Sequence, residues 1–174
     1  TSLTQTEINE RSSGNISIES TEGAVTTTEE INSFATFGNG GSVTIKSRGN
    51  LTTANINSRS DINGRGGNIT LESTDGNIDT TNGDRGISSV SELGNAGDVT
   101  ITSNGNLTTG DIDSRSDGDG QGGKITLESL TGNVNSSQGR LFSFSELGNA
   151  GDVTITSNGN LITSRSEERR VGKE

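Results

Sequence analysis

The segment SELGNAGDVTITSNGNL occupies residues 91–107 and occurs again, unchanged, at residues 145–161. A related copy, GNGGSVTIKSRGNL, begins at Gly38, so the copies start at Gly38, Gly94 and Gly148, at steps of 56 and 54 in the numbering. Self-similarity at a period of this size is the signature of a repeat architecture. The fold is therefore best inferred from one repeating unit.

Each long repeat divides into two shorter ones. The strand-like motif GGSVTI returns as GGNIT, AGDVT, GGKIT and AGDVT, each time after a glycine. These glycines are Gly14, Gly41, Gly67, Gly97, Gly123 and Gly151, so that successive steps in the numbering are 27, 26, 30, 26 and 28. The chain thus contains six near-copies of a short unit, of two alternating kinds.

Apolar and polar residues alternate within each unit, as in Val43-Thr44-Ile45, which is the period of a β-strand. A Gly-Asn pair then indicates a corner, because both residue types tolerate a positive φ. One apolar residue starts a second strand after the corner: Val25, Leu51, Ile78, Leu107, Val134 or Leu161. A third apolar site follows at Ile56 and Ile112. Leu3 and Ile8 occupy the second and third of these sites in an earlier copy of the same kind of unit. The other kind of unit closes with Ile31, Phe34 and Phe37, with Ile87, Val90 and Leu93, or with Leu141, Phe144 and Leu147.

Three short strands per unit could form an antiparallel meander or a parallel coil. Only the coil stacks equivalent residues about 4.8 Å apart, so only the coil gains from repeating its corner. We therefore predict an all-β fold, a right-handed parallel β-helix (solenoid) of about six turns, each of about 26–30 residues, with three short strands per turn. The hand follows from the general crossover rule. The side-chain amides of Asn50, Asn77, Asn106, Asn133 and Asn160 should form a ladder.

Composition alone would indicate disorder. Large apolar residues (Ile 15, Leu 10, Val 7 and Phe 4) make up only 36 of 174 residues, and 26 glycines add to the entropy cost of ordering the chain. The regular placement of those apolar residues nevertheless suffices for a thin core that is stabilised by stacking of neighbouring units. Since such units end without a polar cap, we expect self-association through sheet edges.

The absent residue types exclude several functions. The chain has no His and no Cys, so it can form no Ser/His/Asp triad, no thiol nucleophile, no imidazole or thiolate metal site and no disulfide. The net charge of −10 disfavours nucleic acid and anionic membranes as partners, and no apolar run is long enough to insert in a membrane. We expect no enzymatic activity, no catalytic, cofactor-binding or metal-binding residues, and no cofactor.

The string GNAGDVTITSNGNLTTGDI and its GGxITLES partner resemble the repeats of filamentous-haemagglutinin-like exoproteins, especially cyanobacterial members of the two-partner secretion group. The resemblance covers residues 1 to about 163. It implies a long β-helical stalk, exported through an outer-membrane secretion partner and used in adhesion. The family's secretion domain carries Asn-Pro motifs, and this chain contains no Pro, so that domain is expected elsewhere.

The function expected from this resemblance is that of a structural and adhesive stalk segment in a large bacterial exoprotein, secreted or at the cell surface and without catalysis. Its partners would be neighbouring β-helix repeats of the same longer chain, the secretion partner, and an unidentified cell-surface or glycan ligand, but neither nucleic acid nor an inserted membrane. The alternative is a polysaccharide-binding or polysaccharide-acting β-solenoid. Residues 1–163 form the repeat segment, and residues 164–174 form a non-repeat tail, artefactual or disordered.

Four groups of residues are candidates for sites. Asp117, Asp119 and Gln121 could belong to a calcium loop, although an acidic turn explains them better because the earlier copy carries Asn63 and Arg65. Asp111 and Asp113 could pair as acid and base, but an outward polar strand edge is favoured. The third candidate is an outward threonine column (Thr44, Thr70, Thr100, Thr126 and Thr154), but the neighbouring column is too irregular for an ice-binding surface. The fourth is a basic column (Arg11, Arg59 and Arg115), for which pairing with Asp61 and Asp117 is favoured. The glycosylation triplet at Asn50 is interpreted as a ladder position.

Overall fold

The computed structural model describes residues 12–163 and the backbone of residues 166–170. The described chain contains strands β1–β18, numbered in chain order, and no helix. The first sheet contains β1 (Ile16–Ser20), β4 (Val43–Ser47), β7 (Ile69–Ser73), β10 (Val99–Ser103), β13 (Ile125–Ser129) and β16 (Val153–Ser157). The second contains β2 (Val25–Thr26), β5 (Leu51–Thr52), β8 (Ile78–Asp79), β11 (Leu107–Thr108), β14 (Val134–Ser136) and β17 (Leu161–Thr163). The third contains β3 (Ile31–Asn32), β6 (Ile56–Asn57), β9 (Ile87–Ser91), β12 (Ile112–Ser116), β15 (Leu141–Ser145) and β18 (Ser166–Arg170).

Every strand pairs in parallel with the strand three places later, so the chain is a β-solenoid with three strands per turn, as predicted. We call β1–β3 coil 1, β4–β6 coil 2, and so on to coil 6. In the first sheet the register runs Ile16, Val43, Ile69, Val99, Ile125, Val153, which reproduces the spacing of the glycines found in the sequence. Each sheet has six strands, so about five turns separate its first strand from its last. The right-handed sense stays a prediction.

The core consists of four apolar columns, two from the first sheet and one from each of the others. In coil 4 these are Val99, Ile101, Leu107 and Ile112, all fully buried. Parallel pairing places each of them beside its equivalent in the next coil, for example Leu107 beside Val134. The narrow interior therefore needs only four large side chains per coil, which is why a chain so poor in apolar residues can fold.

Part of the apolar pattern read from the sequence does not belong to this core. Phe34, Val90 and Phe144 alternate with inward-facing residues of the third sheet and therefore point outward. Phe37, Leu93 and Leu147, which follow at the next corner, are about half exposed. Only the first apolar residue of each of these triplets enters the core, because a strand sends alternate residues to opposite faces.

Buried serines replace apolar residues on the inner side of the third sheet. The Ser89 hydroxyl donates to the carbonyl oxygen of Gly67 at 2.9 Å and accepts from the amide of Gly97 at 2.9 Å. It thus joins the start of coil 3 to the start of coil 4. The equivalent serines that donate to a corner glycine carbonyl are Ser33, Ser58, Ser114 and Ser143. The core is consequently part hydrocarbon and part hydrogen-bonded column.

The glycines before the first strand of each coil allow consecutive coils to touch. A Cβ placed on Gly97 would lie 2.4 Å from the carbonyl oxygen of Gly67, and one on Gly123 would lie 2.2 Å from that of Gly97. These glycines are required by close backbone approach, which explains why they recur in every unit.

The asparagine ladder exists, but its bonds differ from those predicted. The side-chain oxygen of each asparagine accepts from the backbone amide of the next: Asn50 from Asn77, Asn77 from Asn106, Asn106 from Asn133, and Asn133 from Asn160, at 2.7–2.9 Å. Among the described members of this ladder, a bond between side-chain amides is present only from Asn133 to Asn106. The corner amide, which cannot join a sheet, is satisfied in this way.

A second inner column carries hydroxyl groups that have no partner. Thr53, Thr80 and Thr109 follow the strands of the second sheet and are fully buried. Their Oγ1 atoms accept and donate no hydrogen bond within the described part of the chain, and neither does that of Thr27. A buried hydroxyl without a partner destabilises the fold by about 1–3 kcal/mol.

We therefore expect Thr80→Val to raise the free energy of unfolding by about 1 kcal/mol, because it replaces an unpartnered hydroxyl with a methyl group of the same size. Chemical denaturation followed by circular dichroism measures this. Thr108→Val, on the outer side of β11, is the matched control and should change little. Destabilisation by Thr80→Val would show that the hydroxyl is bonded after all.

The corner between the second and third sheets varies in length. From the core residue of the second sheet to that of the third there are 6, 5, 9, 5 and 7 positions in coils 1 to 5. In coil 3 the longest of these corners includes Gly86, whose φ is +69°. The amides of Arg85 and Gly86 both donate to the side-chain oxygen of Asn55 in the coil before. The extra residues of a long corner therefore bulge outward from the solenoid, and the register of the strands on either side does not change.

The third sheet extends into the tail that the sequence analysis set apart. The backbone of β18 pairs in parallel with β15, with Ser166 beside Leu141 and Arg170 beside Ser145. The interpretation of residues 164–174 as an artefactual or disordered tail stays a prediction. Leu3, Ile8 and Arg11 lie outside the described residues.

Candidate functional site

Arginines and carboxylates pair on the outer side of the third sheet. Arg59 contacts Asp61 and, at 3.1 Å, Glu92 of the next coil. Arg115 contacts Asp113 and, at 2.9 Å, Asp117. The prediction that Arg59 and Arg115 pair with Asp61 and Asp117 is confirmed, and these arginines are not a basic column open to a ligand.

The two aspartates considered as an acid and base pair have separate structural partners. The Asp111 side chain accepts from the backbone amide of Arg140 at 2.6 Å. Asp113 is bound to Arg115, and its other carboxylate oxygen is buried without a partner among the described residues. Burial raises the pKa of the Asp113 carboxyl, although the Arg115 guanidinium opposes this shift. Both aspartates thus have a structural role, since each binds a group of the solenoid itself.

The Asp113 pKa leads to a pH dependence. A carboxyl whose pKa rises on folding stabilises the fold fully below its unfolded pKa of about 3.9, and this contribution is lost as the pH rises through the folded pKa. The wild type should therefore gain stability relative to Asp113→Asn as the pH falls from about 7 to about 3. Urea denaturation of both proteins across this range measures the difference.

Asp84→Asn provides a control of opposite sign. A hydrogen bond from Asn55 lowers the pKa of the exposed Asp84 carboxyl. Its contribution is present above the unfolded pKa and is lost as the pH falls, so the wild type should lose stability relative to Asp84→Asn over the same range. Parallel pH curves for the wild type and Asp113→Asn would contradict the expectation for Asp113.

The loop considered for calcium is held by protein contacts. Asp117 pairs with Arg115, and the amide of Gln121 donates to the Asn95 side chain at 3.0 Å, while Asp119 is exposed. Within residues 12–163, no three His, Cys, Asp or Glu side chains lie close enough to hold a metal ion.

The threonine column and the Asn50 position follow the sequence prediction. Thr44, Thr70, Thr100, Thr126 and Thr154 are in register on the outer side of the first sheet. The neighbouring column contains Lys46 and Glu72, whose charged groups are 2.9 Å apart and about half exposed, so the pair stabilises the fold little. Asn50 occupies the first position of the asparagine ladder.

A polar groove, which sequence reasoning missed, runs along the corner between the third and first sheets across four coils. Its volume is about 390 Å³. Its lining combines small residues (Gly40, Gly66, Gly67, Ala96, Gly97, Gly122 and Gly123) with polar ones (Asn39, Ser42, Arg65, Asn68, Asn95, Asp98 and Gln121). The signal was the recurrence of a polar residue immediately before each pair of small residues.

The geometry defines the class of this protein as a β-solenoid with three parallel sheets. The described residues include no helix with the length and apolarity needed to cross a membrane. Comparison with known proteins gives no match, whether to a protein-family model, to a curated protein or to a solved structure.

Proposed function

We propose that this chain is a structural and adhesive stalk segment of a large bacterial exoprotein, secreted or at the cell surface, and that it catalyses no reaction. The observation that carries the proposal is the uniform stacking of coils: six strands per sheet, all parallel, with the same four apolar core columns through coils 1 to 5. Such stacking holds the two ends of the segment apart at about 4.8 Å per coil. That is the mechanical task of a stalk.

The hydrogen bonds between coils support this role. Strand ladders, serine bonds and asparagine bonds all connect one coil to the next, so the bonds run along the solenoid axis. A pull along the axis would load many of these bonds together. The adhesive part of the proposal rests on the resemblance of the repeats to filamentous-haemagglutinin-like exoproteins. The same resemblance supports neighbouring repeats and an outer-membrane secretion partner as its partners.

Two measurements test the stalk proposal. Single-molecule pulling on the full chain should show stepwise extension as coils detach, and beads coated with the folded chain should adhere to cells better than beads coated with an inert protein of similar charge. Equal adhesion of both coatings would remove the adhesive role. Unfolding at forces no higher than those of an unstructured polypeptide would remove the mechanical role.

The groove favours polysaccharide binding as a second candidate function. It is elongated along the axis and offers guanidinium, amide and hydroxyl groups at successive coils, which suits an extended chain with many hydroxyl groups. Arg65→Ala and Gln121→Ala remove side chains from its lining. Glycan-array binding by the wild type that both variants lose would support this function, with Arg85→Ala, outside the groove, as the control. An array without any bound glycan would reject it.

A further inference from the structure

Apolar side chains cluster on the outer side of the third sheet. Among the described residues, six large apolar side chains are exposed, and three of them, Phe37, Leu93 and Leu147, lie along one edge of this sheet at 47%, 55% and 53% exposure. Beside them the Phe142 and Phe144 rings stack, with centroids 5.4 Å apart. We call this surface the third-sheet face: Phe37, Val90, Leu93, Phe142, Phe144 and Leu147.

Strand register aligns the exposed members of this face along the axis. Ala35, Ser60, Ser91, Ser116 and Ser145 are paired from coil to coil. The residues two places later therefore share one line: Phe37, Ile62, Leu93, Gly118 and Leu147. Phe37, Leu93 and Leu147 belong to coils 1, 3 and 5, so they recur at intervals of about 10 Å.

The arginines between these apolar bands are paired with carboxylates of the same chain. Coil 2 contributes Arg59, which pairs with Asp61 and Glu92, and coil 4 contributes Arg115, which pairs with Asp113 and Asp117. Val90 points outward between the register positions of the two arginines, yet it is only 2% exposed. The four carboxylates outnumber the two arginines, so the face carries a small net negative charge and two such faces repel each other at low salt.

We infer that two copies of this chain form a side-by-side dimer. Their third-sheet faces are in contact, and a two-fold axis relates the two copies. A two-fold pairing sets each face against an identical one, so the apolar bands of both copies share the same interval of about 10 Å and can lie opposite each other. Leucine and phenylalanine cover leucine and phenylalanine, and internally paired charges meet charges that are likewise paired. This pairing does not depend on the stalk role.

The size of the face is sufficient for a weak dimer. The seven residues from Leu141 to Leu147 extend about 23 Å, and five coils extend about 24 Å. The face is therefore about 550 Å² on each copy, or roughly 1,100 Å² in total, just above the 1,000 Å² that specific interfaces reach. Each copy carries a net charge of −10, so salt should strengthen the pairing by screening repulsion.

Sedimentation equilibrium of the full chain tests the inference. The wild type should show a monomer–dimer equilibrium that tightens between 50 and 500 mM NaCl, values chosen to vary the Debye length several-fold. The double variant Leu93→Ser/Leu147→Ser should dimerise at least about tenfold more weakly. Both leucines are half exposed, so the circular dichroism spectrum and melting temperature should be unchanged. Leu130→Ser removes an equally exposed leucine from another corner and should leave dimerisation unchanged.

Three results would overturn the inference: a wild type that stays monomeric at millimolar concentration, an association that the double variant retains, and one that Leu130→Ser weakens equally. Open-ended oligomers that are insensitive to the double substitution would indicate pairing through sheet edges at the ends of the solenoid instead. A dimer that salt weakens would indicate an interface held by charge.

Discussion

Replacing Gly97 by alanine should lower the free energy of unfolding by about 3 kcal/mol, which corresponds to roughly 6–12 °C in melting temperature. The added Cβ would lie 2.4 Å from the carbonyl oxygen and 2.5 Å from the carbonyl carbon of Gly67. Both atoms are backbone and cannot turn aside as a side chain could. Coils 3 and 4 would have to separate locally, weakening the ladder on both sides of the substitution.

Gly14→Ala is the matched control for this prediction. Gly14 occupies the same column in coil 1, and a Cβ there would meet no atom of the described residues within 4 Å. Both substitutions add the same methyl group, so their difference isolates the contact between coils. Thermal melting and urea denaturation measure both variants. Equal stability of the two proteins would show that coil packing does not require glycine at this column.

Replacing Ser89 by alanine should lower the free energy of unfolding by about 2–6 kcal/mol, because two buried backbone groups lose a partner and each such loss has a cost of about 1–3 kcal/mol. The serine is fully buried, and its hydroxyl bonds both the Gly67 carbonyl and the Gly97 amide. Alanine leaves these two groups without that partner in a space that water does not reach. Urea denaturation of the full chain measures the change.

Ser88→Ala is the control, because Ser88 lies on the same strand but faces outward. It makes the same serine-to-alanine change at the neighbouring position, so it accounts for any effect of alanine itself on the strand. We expect less than about 0.5 kcal/mol from it. If Ser88→Ala destabilises the protein as much as Ser89→Ala, the serine bond between coils is not what stabilises it.

The sequence predicts the path of the chain closely. A period-2 pattern that recurs in every unit specifies the strands, and the glycines before them give the register that the first sheet shows. This works because each coil meets only its neighbours, so one unit contains nearly all the information. The same repetition predicted that Asn50 and its equivalents would stack.

The pattern does not reveal which face of the third sheet an apolar residue occupies. Ile87 and Val90 are both apolar and three positions apart, yet Ile87 enters the core and Val90 points outward. The inward positions between them and after them are serines. The burial of Ser89 depends on hydrogen bonds to glycines at the start of its own coil and of the next one. Serine is usually a surface residue. The sequence pattern therefore assigned some outward-facing apolar residues of the third sheet to the core and missed the buried serines.

The surface features were the hardest to predict. Pairing of Arg115 with Asp117 follows from their spacing along one strand, and the structure confirms it. The groove needs knowledge of how sharply the chain turns between the third and first sheets, which no local pattern supplies. The third-sheet face likewise requires both the register and the outward direction of each residue.

The variable corner between the second and third sheets has a consequence for how this protein can change. Coil 3 takes nine positions there and coil 4 takes five, yet their strands remain aligned on both sides. New residues can therefore be inserted at this corner of any coil as a protruding loop, and the neighbouring coils need not change. The solenoid offers a row of such points at intervals of one coil, each able to carry a different peptide on an unchanged support.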